Sequence, residues 1–197
     1  MDTLKKVWRF LTSPASGYAA WILLATGGVA GALALVTFDQ TLEATSTQSF
    51  CTSCHEMEAF SYAESRERIH ASNRSGIEAT CSDCHVPHEF VPKMVRKIEA
   101  AREVYHHILG TIDTPEKYAA YKPQMIARVH ERMRGNDSAN CRSCHVNVLT
   151  QTSLQRRPAQ MGHKEAIGEG KTCIDCHQGI AHDYPQPEPD EEDDFRI

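Results

Sequence analysis

From Tyr18 to Phe38 the chain runs twenty-one residues without a charge, mostly Ala, Leu, Val, Ile and Gly. As a helix, that is long enough to cross the hydrocarbon of a bilayer. A cleaved signal peptide would have a shorter apolar run with a small-residue cleavage site close behind, and Thr37-Phe38-Asp39-Gln40 is a poor one. The pattern therefore predicts an uncleaved anchor over 18–38, after a short segment 1–17. Lys5, Lys6 and Arg9 precede the run, whereas Asp39 and Glu43 follow it. Basic residues stay on the cytoplasmic side, which places the N-terminus there and the bulk of the chain outside, at a bacterial inner membrane. Trp8, Phe10, Tyr18 and Trp21 fall where interfacial rings are usual. Gly27 and Gly31 form a G-x-x-x-G pair, a candidate homodimer seam.

Beyond residue 39 long apolar runs are few, and the periodicity is helical. Val91, Met94, Val95, Ile98, Tyr105 and Ile108 recur at helical spacing, with Lys93, Arg96, Lys97 and Arg102 on other faces. The plain reading is a helix packed on the interior; the sharper one is a basic amphipathic helix against a membrane surface. Asp113-Thr114-Pro115-Glu116 supplies a cap and a first-turn proline for a second helix that stops at Gly135. No strand pattern of any length is present. The formal charge of −5 resides in the acidic run 188–194 set against Arg196, so 185–197 reads as a disordered acidic tail. No basic patch with interleaved aromatics points to nucleic acid.

About 150 residues outside the anchor must fold around a small conventional core. The cysteines supply the missing element. All eight fall in four Cys-x-x-Cys-His motifs: Cys51/Cys54/His55, Cys81/Cys84/His85, Cys141/Cys144/His145 and Cys173/Cys176/His177. Two thiols at this spacing add to the vinyl groups of one haem, and the next histidine reaches its iron. Zinc sites and redox dithiols do not require that histidine each time. The motifs thus predict four covalent haems c and no disulfides, with the macrocycles acting as interior and the domain unfolded without them.

Motif starts at 51, 81, 141 and 173 divide the domain 39–184 into two similar halves, about 45–110 and 136–184. His70 and His88 in the first half have counterparts in His163 and His182 in the second, which offers one further axial ligand per haem. His106, His107 and His130 are left as surface or packing residues. The expected fold is mainly α with much irregular structure: one transmembrane helix and a multihaem cytochrome c domain of two repeat-related dihaem halves.

The anchor, the motif spacing and the stretch Cys81-Ser-Asp-Cys-His-Val-Pro-His-Glu-Phe-Val-Pro-Lys-Met resemble the NapC/NirT family of tetrahaem membrane cytochromes. Asn73-Arg74-Ser75-Gly76, Ile112-Asp113-Thr114-Pro115 and Thr172 to His177, running on to Gly179-Ile180-Ala181-His182, carry the same resemblance. It implies a quinol dehydrogenase that takes electrons from menaquinol or ubiquinol and passes them to a periplasmic reductase, nitrate reductase before other acceptors. It also implies that His70 serves the fourth haem, His182 the second and His163 the third. The first motif continues as His55-Glu56-Met57, a form in which Met57 replaces His55 as the ligand in some members. Either residue is open, with Glu103, His88 or no ligand on the other face.

Quinol oxidation releases two electrons and two protons, so its site needs a proton acceptor and a donor to fix a ring oxygen. Glu103 and Lys97 are the candidates, although on one helix they point about 120° apart. The competing functions are a relay to nitrite or another acceptor, a terminal reductase with an open haem, and a passive multihaem carrier.

Overall fold

The computed structural model describes residues 2–12 and 20–184. The acidic tail and the rings of Phe10, Tyr18 and Trp21 lie outside what it describes. The chain divides into two compact units, 1–45 and 46–197.

The first unit is helical. α1 (Asp2–Thr12) precedes α2 (Ala20–Ala44), and within α2 the stretch Ile22–Ala44 is long and apolar enough to cross a membrane, with none of it buried. The helix runs on past Phe38 through Asp39 and Glu43 because no Gly or Pro interrupts it. Thr41 and Thr45 also return their hydroxyls to the carbonyls of Thr37 and Thr41, at 2.7 and 2.8 Å. A Cβ at Gly27 or Gly31 would meet nothing within 4 Å, and the homodimer seam gains no support.

The second unit is a series of short helices joined by turns. α3 (Gln48–Cys51) opens the first motif and is followed by a π-helical turn (Met57–Tyr62) and α4 (Ala63–Arg66). α5 (Cys81–His85) carries the second motif, and α6 (Phe90–Ile108) and α7 (Pro115–Gly135) are the two long helices. α8 (Ala139–Cys144), α9 (Arg157–Glu169) and α10 (Cys173–Cys176) complete it, with no strand among the described residues.

Local chemistry explains the long helices. Thr114 caps α7 and Pro115 occupies its first turn, as the sequence predicts. The turn between α6 and α7 needs Gly110, whose φ is +60°; a Cβ there would stand 2.7 Å from the Asp113 carboxylate. Lys117 closes that turn, donating to the Gly110 carbonyl at 2.9 Å and to Asp113 at 2.6 Å.

The protein's own core is slight. Among the described residues the buried apolar side chains are Tyr118 and Ile174, joined by buried Glu56 and Ser138. Burial of that size cannot offset the conformational entropy of ordering some 140 residues. Large apolar groups tied to the cysteines are the interior this unit lacks in its own side chains.

Candidate haem-binding site

The second and fourth motifs each open a short helix with the first cysteine, the third lies at the end of α8 with His145 as its C-cap, and in the first Cys51 ends α3 while Cys54 follows in a turn. In the second and fourth motifs the cap is identical: the Asp83 carboxylate accepts from the Thr80 amide at 2.7 Å, and Asp175 accepts from the Thr172 amide at 2.8 Å. The shared Thr-Cys-x-Asp-Cys-His was readable in the sequence as a capping pattern. Arg134 of α7 also donates to Asp175 at 2.6 Å, and this contact, before the amide bond, holds the carboxyl below its usual range.

Opposite three of the motif histidines stands a second histidine. Ring centroids are 6.1 Å apart for His85 and His182, 6.3 Å for His70 and His145, and 6.0 Å for His163 and His177. Two imidazole nitrogens bound from opposite sides of one metal at about 2 Å each lie about 4 Å apart, which sets the ring centres at ~6 Å. The three pairs fit that requirement, so the residues suit haem c with two histidine ligands. The outer ring nitrogen is held in two of them: His163 Nδ1 donates to Gln155 at 2.7 Å and His70 Nδ1 to the Ile180 carbonyl at 3.4 Å. Such bonds fix the tautomer and turn Nε2 toward the metal. Burial lowers His85 to about 4 and also depresses His182, which keeps both rings in the neutral form that has a lone pair to donate.

Two assignments change. His70 faces His145 of the third motif rather than the fourth, and His163 faces His177 of the fourth rather than the third. α9 runs into α10 through Gly170, whose φ of +66° ends the helix, so His163 is delivered to the motif that follows it. His182 faces His85. It is placed by Asp183, whose amide donates to Glu64 at 3.1 Å and whose carboxylate pairs with Arg68.

The first motif is built differently. His88, the ligand that the repeat suggests, lies beside Ser143 at 3.3 Å, in the third motif. The ring opposite His55 is His107, with centroids 6.4 Å apart. Buried Glu56 accepts from His107 Nδ1 and has its other oxygen 3.0 Å from His55 Nδ1. The remaining His55 nitrogen lies 3.3 Å from the Asp113 carbonyl. Met57, half-buried, begins the π-helical turn. Here a buried carboxylate reaches the Nδ1 atoms of both rings, an arrangement unlike the three histidine pairs elsewhere. His106, by contrast, is a packing residue bonded to Thr111 at 3.0 Å, and His130 stacks on Tyr184.

The two charged candidates of α6 both act on Cys51, where Lys97 and Arg96 stabilise the thiolate and Glu103 opposes it. A hydrogen bond from Cys81 is the largest influence and, with those cations, lowers free Cys51 to about 6, whereas burial pushes Cys84 up to about 11. Glu103 pairs with Arg96 at 2.5 Å, because residues seven apart share a helix face. Arg96 was not a sequence candidate; its i,i+7 relation to Glu103 was the available signal.

Neighbouring motifs touch in chain order. The free Cys81 thiol hydrogen-bonds to Cys51, and Gln48 accepts from the Cys81 amide at 2.9 Å. Asn140, inside α8, donates to the Asp83 and Val86 carbonyls at 2.9 and 2.8 Å. Cys141 lies against Cys173, and buried Ser138, at a φ of +50°, accepts from the Ile174 amide at 3.4 Å.

The model of the NapC/NirT cytochrome c family, N-terminal region, matches residues 13–187. The chain belongs to this family. Its relatives include the cytochrome c-type protein NapC of Escherichia coli K12, 44% identical over 92% of this chain and 90% of that one. The denitrification system component NirT of Stutzerimonas stutzeri is 44% identical over 93% and 92% of the two chains. A protein of Allochromatium vinosum described as tetraheme cytochrome-c type is 45% identical over 90% of this chain and 96% of its own. No solved structure matches the chain. Like its relatives in the NapC/NirT family, this chain is a membrane-anchored c-type cytochrome that holds haem through its Cys-x-x-Cys-His motifs and transfers electrons.

Proposed function

We propose that the chain is a quinol dehydrogenase of the bacterial inner membrane with a periplasmic domain of four haems c. It takes electrons from menaquinol or ubiquinol and relays them to a periplasmic reductase, nitrate reductase above other acceptors. The observation that carries the reading is the contact order of the motifs: first to second, second to third, third to fourth, in a domain that follows the anchor directly. A line of sites with two distinct ends is what a relay needs and a store does not.

Haem, when bound, supplies the one-electron chemistry at each motif. The protein side of the reaction belongs to the first motif. Glu103, oriented by the Arg96 guanidinium, accepts a proton from the quinol hydroxyl, and Lys97 donates a hydrogen bond to fix a ring oxygen. The influence of both on Cys51 supports their convergence on that motif, despite the angle between them on α6. The eight cysteines would hold the haems, the facing pairs His85/His182, His145/His70 and His177/His163 would supply histidine nitrogens to iron, and His55 or Met57 would supply the ligand at the first motif.

Stopped-flow reduction of the detergent-solubilised ferric protein by a quinol analogue tests the reading, with near-infrared magnetic circular dichroism to count low-spin and high-spin haems. Fast reduction with three bis-histidine haems and one of another kind is expected. Four bis-histidine haems and no reduction would leave a passive carrier.

A further inference from the structure

α6 presents one face that nothing in the domain covers. Val91, Val95, Ile98, Tyr105 and Leu109, the last at the C-cap, are 68%, 51%, 71%, 59% and 57% exposed. They follow one another at i, i+4, i+7, i+14 and i+18, a single stripe within about 40° of its centre line at 100° per residue. Phe90 and Ile108, 63% and 76% exposed, widen it on one side.

The haem-binding parts of the domain lie on the opposite side. Arg96, Glu103 and His107 project about 120–160° from the stripe. Arg96 and Glu103 act on Cys51, and Arg96 also on His85, while His107 reaches Glu56 beside the first motif. The flank between is taken by Glu99, which pairs with Arg132 of α7 at 3.2 Å. The stripe therefore points away from the first and second motifs and from α7.

We infer that α6 is an interfacial helix whose apolar stripe rests in the surface of the bilayer that holds the anchor. Three observations select lipid over a protein partner. The chain passes from α2 to α3 through residues 45–47, so the domain is tied at the membrane. Arg102 lies within the stripe on a stem long enough to keep its charge among phosphates. Tyr105 places an amphipathic ring in the same stripe, as is usual at a membrane–water boundary. The inference deepens the proposed function, because a helix seated there holds the Cys51 surroundings close to the layer in which quinol moves.

The test uses full-length holoprotein in nanodiscs of phosphatidylethanolamine and phosphatidylglycerol. All native thiols are consumed by haem, so a nitroxide attaches only to an introduced cysteine, in Ile98→Cys, Tyr105→Cys or, as control, Glu131→Cys on α7. Accessibility to oxygen and to a water-soluble nickel chelate is read from power saturation. Labels at 98 and 105 should favour oxygen at least several-fold over nickel relative to the label at 131. Equal nickel access at all three positions would overturn the inference. Protection from both reagents, with dipolar coupling between two labels at 98, would overturn it in favour of a second copy of the chain. Quinol-driven haem reduction is followed in the same discs. Lipid-seated labels without reduction would refute the proposed function and leave the seating intact.

Discussion

The first motif and the other three use the same five-residue signature to different ends. At the second, third and fourth, a motif histidine looks across about 6 Å at a histidine from elsewhere in the chain. At the first, Glu56 intrudes beside both rings, and α6 brings up Arg96, Lys97 and Glu103. Two histidines on one iron fill both axial positions and leave nothing for a substrate to approach, which suits onward transfer. A motif ringed by charge and a buried carboxylate suits the handling of protons. Under the proposed function, the contrast would put proton chemistry at one end of the row of motifs and conduction along the rest.

The largest effect should come from removing what all four share. Cys141→Ser with Cys144→Ser deprives one motif of attachment, and a domain with so few buried apolar side chains should then fail to fold: far-ultraviolet circular dichroism would show loss of most helix and no cooperative melting. A folded, cooperatively melting variant would mean that protein contacts alone suffice.

Next, the conducting sites should lose a ligand one at a time. His182→Ala should convert one low-spin haem to high-spin, and His70→Ala should do the same at the third motif, both counted by near-infrared magnetic circular dichroism. His88→Ala should leave the count unchanged, since His88 sits beside Ser143. A fall in low-spin haem with His88→Ala would restore the repeat-based ligand and erase the contrast. His107→Ala should alter the signals of the first haem alone. At that end Glu103→Gln should slow quinol oxidation ~10–100-fold without changing the haem spectra. Lys97→Gln should act in the same direction, and wild-type rates in both would remove the charged cluster from the mechanism.

How far all this was legible depended on the range of the signal. The apolar run, the capped start of α7 and the eight cysteines are local patterns, and each appears where the sequence places it. His70, His163 and His182 were recognisable as candidate ligands, yet two face a motif other than the one the family resemblance implied, because neither a linear repeat nor a family pattern fixes which helix end a loop returns to in this chain. His107 was hidden because its partner, Glu56, is fifty-one positions away and nothing in α6 marks an inward histidine from an outward one. The π-helical turn at Met57 had no sequence signature at all.

The smallest predicted effect probes the conducting class from within. Gln155 accepts a hydrogen bond from His163 Nδ1 at 2.7 Å, whereas His55 has a carboxylate in the corresponding place. That bond adds electron density to the imidazole, which favours ferric over ferrous iron on the fourth motif. Gln155→Leu removes the acceptor, so the midpoint potential of one haem should rise, and the low-spin count should not change. A neutral hydrogen bond contributes about 1 kcal/mol, so the rise should not exceed about 40 mV for a one-electron couple. Spectroelectrochemical titration resolves a shift of that size. No rise in potential would mean that Gln155 does not accept from His163 Nδ1 in the haem-loaded protein.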